Sequence, residues 1–260
     1  VAPTTVPTEA AVSADRAIAL VRLNAILFAR DPGPLIGRVA MPLVLITLMR
    51  PLYTAAIGSV SGTAQAVAGM LVTFSLLGMS IVGSSILVER MWHTAERLRS
   101  SPAATVELLV GKAAPALALL VVQQAVILGY GRLAFGLHIA SPWLLGGTVL
   151  VWGTTLLCIG AMLGTLARSG GGLGAMVDLG SLGLTGLGGA FVPLDLLPGW
   201  ARAVAPASPG YWAMHAMDAA FTGDVRAAMT GWLVLAAFAT AAAAVGGYRL
   251  RRGWGRGVPG

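Results

Sequence analysis

Charge is scarce in this chain: Asp, Glu, Lys and Arg make up 10% of 260 residues, where a globular protein carries roughly 25%. Cysteine occurs once, at Cys158, so neither an internal disulfide nor a thiolate metal cluster can form. The three histidines, His93, His138 and His215, are far apart and bring no ligand partners with them. Metalloenzyme and Cys-dependent hydrolase chemistry are therefore poor readings. Lysine also occurs once, in Val110-Gly111-Lys112-Ala113, which lacks the upstream glycine and the following Ser/Thr of a phosphate-cradling loop. By that route the chain does not bind ATP. Ser80, Ser84 and Ser85 have no nearby histidine, so they form no nucleophile motif for intramembrane proteolysis.

What the chain has instead is apolar surface. Hydrophobic residues are 57%, glycines number 35, and the mean hydropathy is +0.82. No soluble fold can bury that much, so the solvent for most of the chain is lipid. The net charge of +7 falls in short clusters between uncharged runs, the pattern of membrane loops rather than of a nucleic-acid surface.

A bilayer core needs about 20 apolar helical residues. Four runs satisfy this cleanly: 67–88; 113–131, bounded by Lys112 and Arg132; 133–167, with a turn at Ser141-Pro142 and a span from Trp143; and 227–248. Two more are weaker. Residues 35–53 carry Arg38 and Arg50 near the two ends, where both can snorkel to an interface, with Pro42 inside. Residues 171–193 hold Asp178 and many glycines. The expectation is an all-α membrane protein of six transmembrane helices over 35–250. With both termini in the cytoplasm, Arg50, Arg132, Arg202 and Arg226 fall outside and the other thirteen basic residues inside, as the positive-inside rule asks.

Residues 1–12, rich in Pro, Thr and Ala, read as a disordered tail. No basic n-region leads into an apolar core there, so no cleaved signal peptide is expected. Over 13–31, Ala17, Leu20, Val21, Asn24, Leu27 and Phe28 recur at helical spacing with Arg16, Arg22 and Arg30 elsewhere. That is an amphipathic helix suited to the inner membrane surface, or an ordinary extramembrane helix. Asp31-Pro32-Gly33-Pro34 ends it. Residues 251–260 form a basic cytoplasmic tail.

Three stretches are not explained by the need to span. The loop from Glu89 and Arg90 to Pro102 is dense in charge of both signs and sets Met91, Trp92, Ala95 and Leu98 at helical intervals. Such a helix can put an apolar edge into a partner's cleft, with Glu96, Arg97 and Arg99 around it; alternatively it is a basic loop that only obeys topology. In the second stretch, Gly180, Gly183, Gly186 and Gly189 recur every third residue, and Gly160 and Gly164 form a GxxxG pair. Glycines at these spacings let helices approach closely in lipid, within the subunit or at a dimer seam. The third runs through Gly188-Gly189-Ala190-Phe191-Val192-Pro193, Leu197-Pro198-Gly199-Trp200 and Ser208-Pro209-Gly210-Tyr211-Trp212. Backbone interrupted in this way at membrane depth must be sheltered by protein or line a cavity. It predicts two short interfacial helices, 197–205 and 211–221, anchored by Trp200, Tyr211 and Trp212.

On these last motifs, and on the 89–102 loop followed by Gly111-Lys112, the chain resembles the permease subunit of ABC-2 type exporters, in particular the branch related to daunorubicin permeases. The resemblance covers nearly everything after Val12. It implies that the amphipathic helix and the 90–101 coupling helix contact a separate ATPase, with Glu89, Arg90, Trp92, Glu96, Arg97, Leu98, Arg99 and Pro102 as coupling residues. It also implies that 194–221 supplies outer re-entrant helices built around Pro193, Pro198, Trp200, Pro209 and Tyr211. Arg50, deep in the first span, departs from the pattern. The implied partners are two cytoplasmic ABC ATPases, which carry the ATP and Mg, a second permease copy or a sister permease, and the bilayer. No cofactor, metal or catalytic residue is expected in this chain, and no nucleic acid.

Lone polar residues leave choices open. Asp178 can contact substrate, relay a proton, or pair with Arg168 ten residues away, the last being preferred. Gln123 and Gln124 can line a path or bond across helices, again with the structural reading preferred. The functional expectation is a permease moving a hydrophobic or amphipathic compound (drug, antibiotic or lipid) outward across a bacterial plasma membrane. The alternative is a proton-coupled secondary exporter using Asp178. One lysine against sixteen arginines fits a high-GC bacterial source.

Overall fold

The computed structural model describes residues 32–91 and 105–253. The expected tail and amphipathic helix, 1–31, lie outside the described residues, as does 254–260 of the basic tail expected from 251, whose first three residues continue the last helix. Within them every regular element is helical: α1 (Pro32–Ile57), α2 (Ser59–Leu76), α3 (Met79–Met91), α4 (Thr105–Phe135), α5 (Pro142–Leu166), α6 (Gly170–Leu187), α7 (Gly199–Val204), α8 (Pro209–Thr222) and α9 (Val225–Gly253), with single 3-10 turns at Leu194–Leu196 and Ala205–Ala207.

Among the described residues, five segments are long and apolar enough to cross a bilayer: Ile36–Ile57, Ser59–Met91, Ala113–Phe135, Pro142–Leu166 and Val225–Arg249. The sixth expected span corresponds to α6, which is helical but does not join them. Its 18 residues include seven glycines and Asp178, which pull its apolarity below that of the other five. The second span is α2 and α3 together, broken at Leu77-Gly78. There Gly78 N–H bonds back to the Ser75 carbonyl at 2.8 Å, and the Leu120 side chain lies where a Cβ on Gly78 would be. A kink at a glycine under a packed side chain is the expected cause of such a break.

The chain is apolar outside as well as inside. Leu48 and Leu52 on α1, Leu179 and Leu182 on α6, and Leu233 on α9 are all exposed, which lipid tolerates and water does not. The centre is α5, which packs most extensively against α9 and then against α3, α8 and α4. Its core side chain, Trp152, is fully buried, and its indole N–H donates to Ser75 Oγ of α2 at 2.7 Å. Thr148 Oγ1 accepts from the Trp232 indole of α9 at 2.9 Å, and Thr155 Oγ1 donates to the Leu235 carbonyl at 3.2 Å. In a medium without water, these few polar ties set the register of α5 against its neighbours.

Candidate functional site

At the end of the molecule where α3 leaves the bundle, Arg90 sits in the last turn. Its Nη1 donates to the carbonyls of Gly164 at 3.0 Å and of Thr165 and Ala167 at 2.9 Å each. These are end-of-helix carbonyls of α5, which lack intrahelical partners, and a guanidinium there also meets the negative end of the helix dipole. Arg90 therefore joins the root of the 92–104 segment to the central helix. Glu89 beside it is half-buried. Trp92, Glu96, Arg97, Leu98, Arg99 and Pro102 lie outside the described residues.

The two glycine sets separate cleanly. Gly160 and Gly164 on α5 meet α3 backbone to backbone: a Cβ on Gly160 would run into the Met79 carbonyl, and one on Gly164 would lie 2.5 Å from the Gly83 carbonyl. This GxxxG pair serves packing within the subunit. Gly180, Gly183 and Gly186 on α6 have nothing within 4 Å of their Cβ positions. Asp178 shares that helix and is exposed. The ion pair preferred for it, with Arg168, is absent among the described residues, and both side chains are exposed.

Gln123 and Gln124 are buried in α4, 2% and 0% exposed. None of their four amide atoms has a hydrogen-bond partner among the described residues, so the expected bonds across helices are not made. Ser181 Oγ and Thr185 Oγ1, on the buried side of α6, share this state. Arg50 is engaged locally: Nε donates to Thr63 Oγ1 at 3.1 Å, and the guanidinium lies 4.8 Å over the ring of Phe135, the last residue of α4. That pairing lets α1 continue past it to Ile57. Arg38 reaches Ser80 Oγ at 3.4 Å.

At the opposite end, the motif from Gly188 to Pro193 is the irregular backbone following α6. Gly188 meets the backbone of Gly210 and Tyr211, and Gly210 meets the Leu184 carbonyl, which also accepts from Ser208 Oγ at 3.1 Å. The Gly-Gly and Ser-Pro-Gly motifs are thus two halves of one close crossing between α6 and α8. Gly189 has φ +79, a left-handed conformation that a side chain would strain. Its carbonyl accepts from Gln65 Nε2 at 2.7 Å, and the Phe191 carbonyl accepts from the Tyr53 hydroxyl at 2.7 Å. Gly69 lets α2 touch the Ala190 carbonyl. Sequence reasoning did not single out Gln65, Tyr53 or Gly69. A lone amide in the apolar α2 run was the available signal.

Pro193 and Pro209 are buried, while Pro198 and Trp200 are exposed. Tyr211 stands edge-on to Trp212 and stacks with His215. The Trp212 indole donates to the Pro206 carbonyl at 2.9 Å. A cavity of about 430 Å³ opens beside this segment, with Gln65, Asp195, His215 and Asp218 in its wall.

No curated protein matches the chain. The family profile of the ABC-2 type transporter does match, over residues 16–222, and it takes in the Arg90 junction, the α5–α3 crossing and the Gly188–Gly210 crossing. Proteins of that family are membrane components of transport systems and generally work with ABC ATPases. The chain belongs to the ABC-2 type transporter family.

Proposed function

We propose that this permease is the membrane half of an ATP-driven exporter in the daunorubicin and multidrug branch. It would move a hydrophobic or amphipathic compound outward from the cytoplasm or inner leaflet of a bacterial plasma membrane. In this reading α6 is a fifth crossing, giving six spans with both termini cytoplasmic, and α7 and α8 are outer re-entrant helices. Two copies, or one copy and a sister permease, pair and recruit two ATPases that hold ATP and Mg. The chain itself performs no covalent chemistry.

The observation that carries the reading is the Arg90 junction. A partner that displaces the 92–104 segment pulls on α3, and three hydrogen bonds pass that pull to the end of α5, the helix on which most of the bundle rests. A sheltered rearrangement then follows at α6, whose glycines have room to take up a neighbour.

Charge reversal at Arg97 and Arg99 tests it: ATPase stimulation by the permease is lost while membrane insertion is unchanged. Unchanged coupling removes the docking assignment. An impermeant thiol reagent that labels Ser100→Cys from outside intact cells overturns the orientation. Transport that collapses with the proton gradient while ATP persists selects the Asp178 exporter instead.

A further inference from the structure

At the end opposite Arg90, the cavity of about 430 Å³ lies between α2, α8 and the irregular backbone that follows α6, within the size range of small-molecule sites. Part of its wall is apolar, with Ala68 of α2 and Met214 and Phe221 of α8 all buried. Its chemistry comes from three separate elements: Gln65 from α2, Asp195 from the 3-10 turn at Leu194–Leu196, and His215 with Asp218 from α8. His215 and Asp218 are three residues apart and so share a face of that helix. Ring contacts with Tyr211 and Trp212 hold the imidazole in place.

The polar ends left for a guest are acceptors. Gln65 Nε2 donates to the Gly189 carbonyl at 2.7 Å and to the Ala190 carbonyl at 3.4 Å, which uses the donors of the amide and leaves Oε1. Both carboxylates are exposed, and neither makes an ion pair or a side-chain hydrogen bond among the described residues. No Lys or Arg lines the cavity; Arg50 is engaged by Thr63 and Phe135 instead. Acceptors and negative charge without donors call for a cation that itself donates hydrogen bonds. A metal ion fits poorly. No three His, Cys, Asp or Glu side chains come together among the described residues as a metal site needs, and an apolar wall offers such an ion no ligands.

We propose that this cavity binds the protonated amine of an amphipathic molecule, its N–H groups donating to Asp195, Asp218 and Gln65 Oε1 and its apolar body lying against Ala68, Met214 and Phe221. This deepens the transport reading by naming the charge of the substrate. Its placement on the outer side rests on that reading; the binding itself does not.

The purified full chain in phosphatidylcholine nanodiscs is titrated at neutral pH with tritiated phenethylamine, with empty nanodiscs as background. Phenethyl alcohol and the N-trimethylated ammonium analogue are the competitors. The amine binds saturably, about tenfold tighter than the alcohol, which lacks the charge, and than the trimethyl analogue, which lacks the N–H donors. Asp195→Asn and Asp218→Asn each weaken binding about fivefold, the upper end for an exposed charge pair, and together they remove the preference over the alcohol. Asp224→Asn alters an exposed acid outside the cavity and leaves binding unchanged. Equal binding of amine and alcohol, or of amine and trimethyl analogue, overturns the proposal. So does a preference that survives the double substitution, or an equal loss in Asp224→Asn. No ATPase is present and nothing is transported, so failure here leaves the transport reading standing; unchanged coupling after charge reversal at Arg97 and Arg99 leaves this binding intact.

Discussion

Helices α5 and α6 carry the same small-residue signature and use it in opposite ways. On α5, Gly160 and Gly164 are buried beneath Met79 and Gly83, where backbones touch and no methyl group fits. On α6, Gly180, Gly183 and Gly186 face open space, beside exposed Asp178, Leu179 and Leu182. A glycine in a lipid-facing helix lowers helix stability by roughly 1 kcal/mol relative to alanine. The α5 glycines offset that loss by packing within the subunit. Those of α6 have no such compensation within the chain.

The sharpest way to break the contrast is a matched pair. Gly164→Leu drives a side chain into the Gly83 carbonyl and costs about 3 kcal/mol, the upper end of overpacking penalties. Gly183→Leu enters open space, so it does not lower the isolated subunit's stability and raises it by up to about 1 kcal/mol through helix propensity. Denaturation in detergent measures both, and equal losses would erase the distinction. Next in size is Arg90→Ala, which strips the α5 end carbonyls of a charged donor and costs about 2 kcal/mol. Amide exchange then rises in the last turn of α5, and ATPase coupling falls with it.

Gln65→Leu sharpens the picture at the far end. It leaves the Gly189 carbonyl without its donor, at a cost of about 1–2 kcal/mol, and exposes 188–193 to exchange while the α5 core stays protected. Gly183→Ala has the opposite sign, raising subunit stability by up to about 1 kcal/mol. Cross-linking of Gly183→Cys between copies, in a Cys158→Ser background, tests whether the α6 face is a seam. The smallest effect belongs to Asp178→Asn, which shifts stability by no more than about 0.5 kcal/mol. Transport that survives it removes proton coupling through that carboxylate.

Much of the helical layout could be read from the order of residues. The uncharged runs predicted at 113–131 and 227–248 lie within α4 and α9, the span expected from Trp143 matches α5, and the two short helices expected at 197–205 and 211–221 appear as α7 and α8. The break at Gly78 was not legible, because glycine in an apolar run reads the same whether or not a leucine from another helix covers it. The partners that hold Arg50, Thr63 and Phe135, were not legible, because α2 and α4 supply them. The amides of Gln123 and Gln124 looked like cross-helix ties and make none among the described residues. Gln65 attracted no notice, yet it supports the irregular backbone at Gly189.

What the order of residues determined by itself is the solvent. Apolar runs matched to bilayer thickness, with charge confined between them, dictate membrane-spanning helices whatever their arrangement, because hydropathy is a local property summed along one helix. Only the tertiary structure decided which glycines are contacts and which are vacant, which arginine grips the end of α5, and which carbonyls need an outside donor. Those are properties of pairs of surfaces far apart in the chain, and no single segment contains both members.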